Sequence, residues 1–273
     1  MSKLSPSAEN RPELAELGKD LLETTCFQRW LALSRPFFCV VIYALLAWFG
    51  LWWLTLPCVF LIFVSVVNVT HDVVHGSLGL GKKGTEWALF ATGAMLLESG
   101  HAYRASHLQH HAVFPSGDDP EGDPARMTFL GAILHGPIFL PRLWWWAFRH
   151  ASKRPGQRAW LLLEASLPLA CVGTGLAIWP QTSSVLFYAL QVILGSWVYP
   201  LLTVYLPHHH YGDTPWTQTR TLRGRIIPAL FLELTYHLEH HLYPAVPAHH
   251  LAELSRRLEP DLRRAGVAPR RVP

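Results

Sequence analysis

The sequence predicts an all-α integral membrane protein, with four transmembrane helices in two hairpins and a cytoplasmic helical cap over one face. Three observations carry that prediction. Half of the 273 residues are hydrophobic and only 15% are charged, against about a quarter in soluble domains. The long apolar runs come in two pairs, each broken by a short link. All 23 Lys and Arg residues lie outside those pairs.

The first pair fills the stretch from Phe37 to Val69, which as one straight helix would run roughly 50 Å and overshoot a hydrocarbon core of about 30 Å. Gly50 and Pro57 offer places to turn, so the reading is two spans, 37–53 and 55–70. The second pair is 159–179 and 184–206, separated by the polar link Pro180–Ser183. Residues 1–36 then form a polar leader, without the basic-then-apolar layout of a cleaved signal peptide, and 37–273 one membrane domain. Glu86–Leu97, Met127–Phe148 and Ile226–Thr235 are too short or interrupted to cross, and are expected at the interface or over the site. Trp144, Trp145 and Trp146, beside Arg142 and Arg149, suit the headgroup region. Leu251, Leu254, Leu258 and Leu262 repeat at helical spacing and predict an amphipathic covering helix.

The leader holds 5 Lys and Arg, the segment between the pairs 9 and the tail 9, while the hairpin tips hold none. By the positive-inside rule both termini and the central segment face the cytoplasm. A net charge of +4 gives no reason to expect nucleic acid. Cys39, Cys58 and Cys171 sit inside apolar runs and Cys26 stands alone, so no disulfide framework is expected.

Sixteen histidines are the anomaly, and all fall in the segments read as cytoplasmic or at span ends facing them. Three clusters stand out: His71-Asp-Val-Val-His75, His107-Leu-Gln-His110-His111 and His237-Leu-Glu-His240-His241. On a helix, residues three or four apart share a face, so each cluster can aim two or three imidazoles one way. Eight imidazoles exceed the four ligands of a structural zinc site and suit two metals sharing one site. Imidazole accepts iron, copper, zinc and nickel alike, so ligand type leaves the metal open. Asp72 after His71 rules out the His-Glu-x-x-His of zinc proteases.

These clusters (His-x3-His, then His-x2-His-His twice, around two apolar hairpins) resemble those of the membrane fatty-acid desaturase and hydroxylase superfamily. The likeness runs from about Phe37 to His250, and His241-Leu-Tyr-Pro-Ala-Val-Pro247 resembles the ending of its third histidine box. It implies a di-iron centre on the cytoplasmic side, dioxygen as oxidant, a lipid substrate, and electrons from a separate ferredoxin-like or cytochrome carrier. Carried over, the ligands are His71, His75, His107, His110, His111, His237, His240 and His241. Related enzymes often add one more between the second and third boxes; within His208–His210 the His-x-Tyr-Gly pattern favours His209. His101 is a possible hydrogen-bond donor to the site, or, like His135, His150, His249 and His250, a surface residue. Asp72, Glu98 and Glu239 are candidates to orient the ligands, and the acidic stretch Asp118–Asp123 is either such a group or a solvated turn.

The resemblance leaves two branches open. Desaturation of a fatty acyl chain fits the second and third boxes. A carotenoid hydroxylase or ketolase fits the compact length and Tyr205-Leu-Pro-His208. A membrane metal transporter, a reading of another class, needs polar ligands deep in the spans, which hold little besides Asn68, Glu164 and Gln191.

Overall fold

Four helices are long and apolar enough to cross a membrane: α1 (Cys26–Trp48), α2 (Trp52–His75), α6 (Gln157–Ala177) and α7 (Ser184–His208). The computed structural model describes residues 11–150 and 156–273. The first ten positions of the predicted leader, and Lys153 and Arg154 of the charge count, lie outside the described residues. Between and after the spans come α3 (Lys82–Met95), α4 (Gly100–Val113), α5 (Gly136–His150), α8 (His237–Leu242), α9 (Leu251–Arg257) and α10 (Glu259–Arg264). A short parallel ladder pairs β1 (Leu222–Arg223) with β2 (Arg270–Arg271).

α1 starts at Cys26, well before the predicted residue 37, because a capping box lies inside the polar leader. Thr25 accepts a hydrogen bond from the Gln28 amide at 3.2 Å, and the Gln28 side chain accepts one from the Thr25 amide at 2.8 Å. Two otherwise orphaned N–H groups are thereby satisfied, and the helix runs on through Pro36. The chain turns at Gly50, whose φ of +70° favours glycine. Pro57 does not end a span; it sits inside α2.

α2 is the central element. Two thirds (67%) of its most apolar window is buried, against 17–22% for the other three long helices. Phe63, Val66 and Val67 pack with Tyr43, Phe139, Val192 and Tyr199 in the main core. Outward-facing Phe38, Trp48, Trp53 and Leu169 stay exposed, as expected of faces that meet lipid. Two amide side chains within the spans have partners, as a nonpolar surrounding favours. Asn68 donates to Val64 O at 2.8 Å, and Gln191 joins Tyr43 and Thr55 at 3.0 and 2.9 Å.

The four tail leucines are buried on α9 and α10 and at their junctions, in a second core shared with Leu21, Trp216, Leu238 and Leu242. Each buried Leu contributes about 1.5–3 kcal/mol, so the tail and the segment before α1 together clamp α8, the helix carrying the third histidine box. Met127–Phe148 resolves into a short helix, Phe129–Leu134, followed by α5. All four cysteines are free thiols.

Candidate metal centre

The first box occupies the last turn of α2. Gly76 ends that helix at φ +72°, where its N–H closes on Asp72 O. The second box lies on α4, which can approach α3 because Gly100 has no Cβ; one there would collide with the Leu89 carbonyl. The third box is α8 itself. The end of α7 adds a fourth contribution.

Nine imidazoles gather there in two groups: His71, His75, His107, His111 and His240, and His110, His208, His237 and His241. Helical spacing explains the division. On α4 the i,i+4 pair His107/His111 joins the first group and His110 the second. On α8 the i,i+4 pair His237/His241 joins the second and His240 the first. Within each group the ligand atoms lie within 4.8 Å of one another. His111 and His241 stack across the divide at 4.3 Å.

The nitrogens face one another as ligands of a common ion would. Nε2–Nε2 separations are 3.2 Å for His107–His111, 2.8 Å for His111–His240, 3.1 Å for His237–His241 and 2.9 Å for His208–His237. Two imidazoles at roughly 2.1 Å from one metal and at right angles stand about 3.0 Å apart. The buried Nε2 atoms of His71 and His75 have no hydrogen-bond partner, an expensive condition that a metal relieves. The donor set fits two transition-metal ions.

Three of the opposite ring nitrogens are anchored. His107 Nδ1 meets Glu121 at 3.1 Å, His110 Nδ1 meets Asp119 at 2.7 Å and His208 Nδ1 meets Gln218 O at 3.1 Å. Such contacts fix the tautomer that presents Nε2 inward. The acidic stretch Asp118–Asp123 therefore supplies carboxylates to His107 and His110. Asp72 binds Ser77 and the Ala248 amide, and Glu239 takes the Thr221 hydroxyl. Glu98 Oε1 has no partner.

Eight of the nine predicted ligands are thus brought together; His209 is not, and His208 stands in its place. Residues Pro200–Tyr205 form a π turn, which rotates the residues after it relative to an α-helical count. His208 is left facing the centre with none of its surface exposed. His209 stacks on Tyr205 at 4.2 Å instead. His101 belongs neither to the centre nor to the surface: it is fully buried between Glu164, at 2.7 Å, and Glu86, at 3.0 Å.

Burial holds five imidazoles of the second and third boxes neutral, the form that ligates metal. It lowers His107, His111, His240 and His241 below the usual histidine range, reinforced by neighbouring imidazoles, and takes His237 down to about 3. A histidine lowered in the folded state contributes stability that is complete above about pH 6.5 and lost as pH falls towards its folded value. Glu98 and Glu121, pushed by burial up to about 8 and about 7, and Glu239, also raised, act oppositely, adding stability as pH falls from about 8 to about 4.5, but below about pH 6.5 the five imidazoles outnumber them. Metal-free protein in detergent is therefore expected to melt at lower temperature at pH 5.5 than at pH 7.5. An unchanged or higher melting temperature at pH 5.5 would refute this.

Beside the histidines lies a cavity of about 450 Å³, into which His71, His107, His110 and His237 open; Phe63, Val67, Leu202, Phe231 and Leu234 form much of the rest of its wall.

Comparison with known proteins places the chain in a family. The chain is 27% identical over 215 residues to the β-carotene ketolase of Paracoccus sp. (strain N81106 / MBIC 01143), covering 76% of each. It is 24% identical over 307 residues to the sn-1 acyl-lipid omega-3 desaturase (ferredoxin) of Synechocystis sp. (strain ATCC 27184 / PCC 6803 / Kazusa), covering 94% of this chain and 83% of that protein. The dihydrorhizobitoxine desaturase of Bradyrhizobium elkanii is 27% identical over 241 residues, with 72% and 65% covered. Such relatives mark an oxidoreductase. The fatty acid desaturase family model matches residues 47–273, which takes in all three histidine boxes, and the chain belongs to that family.

Proposed function

We propose that this protein desaturates a fatty acyl chain with dioxygen at a di-iron centre held by His71, His75, His107, His111 and His240 and by His110, His208, His237 and His241. The observation that carries this reading is the apolar cavity walled on one side by ligands of both groups. Bound iron supplies the oxidation of an unactivated C–H bond. The balanced reaction takes an acyl –CH2–CH2– unit, O2, two electrons and two protons to –CH=CH– and two waters. The chain's own residues hold the substrate and exclude water: Phe63, Val67, Leu202 and Phe231 shape an apolar slot, and the anchored imidazoles keep the oxidising side fixed.

The two pairs of spans are antiparallel hairpins, and the centre faces the cytoplasm. The one-sided distribution of Lys and Arg supports that orientation. Electrons come from a ferredoxin-like or cytochrome carrier. The ferredoxin in the name of the Synechocystis relative supports the first, and an acidic carrier suits a chain of net charge +4. A second reading, oxygenation of a carotenoid, is favoured by the ketolase likeness over 76% of each chain.

Mass spectrometry of total lipids from a β-carotene-producing bacterial host separates the two. Expression of the intact chain is expected to yield fatty acids lacking two hydrogens, absent with His107→Ala. An oxygenated carotenoid with unchanged fatty acids would replace the first reading by the second.

A further inference from the structure

The cavity has a charged side that the chemistry at the histidines does not use. Three charged side chains line it, Glu121, Arg220 and Arg270, and Pro273 with its terminal carboxylate is in the same wall. Glu121 is engaged by Ser106 at 2.7 Å and His107 at 3.1 Å. The arginines are not matched. Among the described residues, the guanidinium of neither Arg220 nor Arg270 has a hydrogen bond or ion pair.

Other arginines after the last span are paired. Arg223 binds Glu259 at 3.1 Å, and Arg257 binds Asp20 and Glu253 at 2.6 and 2.9 Å. The ladder also holds the two unmatched residues near one another. Leu222 pairs with Arg270, the Arg270 amide donates to Thr221 O at 2.9 Å, and Arg220 precedes that ladder directly. Arg220 is half-buried; burial and then the like charge of Arg270 lower its guanidinium below the ordinary arginine value. Arg270 is exposed, whereas Arg220, half-buried beside that second cation and facing an apolar cavity, is stabilised by an anion that joins it. The guanidinium fork suits carboxylate and phosphate oxygens.

We propose that Arg220 and Arg270 form an anion-binding subsite in the cavity wall that grips the carboxylate or phosphate at the head of an acyl substrate. Anchoring the head there sets which carbon of the chain lies against the histidines. The inference rests on the acyl reading above; a hydrocarbon carotenoid offers no group for this subsite.

The test compares binding of radiolabelled stearate, methyl stearate, lysophosphatidylglycerol and β-carotene to the metal-loaded full chain in nonionic detergent at pH 8. Proteins compared are the wild type, Arg220→Gln, Arg270→Gln and, as a control away from the cavity lining, Arg271→Gln. The wild type is expected to favour an anionic lipid over methyl stearate by at least about tenfold, the size of a charge-assisted hydrogen bond. Arg220→Gln and Arg270→Gln bring that ratio to within about twofold, and Arg271→Gln keeps it. Preference for stearate identifies a carboxylate head, and preference for lysophosphatidylglycerol a phosphate head. Equal wild-type binding of stearate, lysophosphatidylglycerol and ester, a comparison that needs no variant, overturns the subsite while leaving the acyl reading standing. Persistence of the preference in Arg220→Gln overturns the assignment. Binding of β-carotene with none of the acyl lipids overturns subsite and acyl reading together.

Discussion

His208→Ala is expected to cost the protein one of the two metal ions proposed for the centre and to reduce turnover by more than about 100-fold, while His209→Ala keeps the wild-type metal content. The contrast comes from position. His208 Nε2 stands 2.9 Å from His237 Nε2, and its Nδ1 is anchored on Gln218 O at 3.1 Å. The ring is completely buried. Its group has four imidazoles against five in the other, so removing one leaves three and opens the coordination shell. His209 faces away, stacked on Tyr205 and touching Ala125 O and His210, and its loss removes no contact to the clustered histidines. Removing an outer partner of a metal ligand typically costs 10–100-fold in affinity, and removing the ligand itself costs more. Metal analysis of the two purified variants decides the matter. Two metals retained in His208→Ala, with loss in His209→Ala, would reverse the assignment.

That single residue marks the limit of what the sequence discloses. The four spans, their pairing in sequence and eight of the nine clustered histidines are legible from apolar run length and from i,i+3 and i,i+4 spacing. These signals are local, and a helix converts them directly into a shared face. Selection among His208, His209 and His210 depends on the π turn at Pro200–Tyr205. One extra residue per turn rotates everything beyond it by about 100°. Pro200 and Pro207 hinted that the helix is irregular there, but not in which sense. The start of α1 was legible in principle, since Thr25-x-x-Gln28 is a capping box, but the hydropathy of the run beginning at Phe37 obscured it. Partners distant in sequence were not legible. His101 meets Glu164 across 63 positions, and no spacing rule joins them.

The His101–Glu164 contact carries the second large effect: Glu164→Ala is expected to destabilise the protein by about 3 kcal/mol, the upper end of what leaving buried hydrogen-bonding groups without their partner costs. Glu164 lies on α6, in a span, with a wholly buried side chain. It accepts from the Ser99 hydroxyl and meets His101 Nδ1 at 2.7 Å. Ser99 is the N-cap of α4, where its Oγ receives the Ala102 amide at 3.0 Å. One carboxylate therefore ties a membrane span to the start of the helix that presents His107, His110 and His111. Trp160, one turn earlier on α6, stacks on His101 at 4.9 Å and 8°, so α6 grips the same ring twice. Without the carboxylate, Ser99 and His101 lose an acceptor where water does not replace it, although His101 keeps Glu86 at 3.0 Å. Glu164→Gln retains one carbonyl oxygen and is expected to fall between the wild type and Glu164→Ala. Thermal melts in detergent, with metal content measured on the same samples, test the argument. A Glu164→Ala protein that melts at the wild-type temperature would show that α6 does not hold the second histidine box in place. A lower melting temperature that Glu164→Gln partly restores would show that it does.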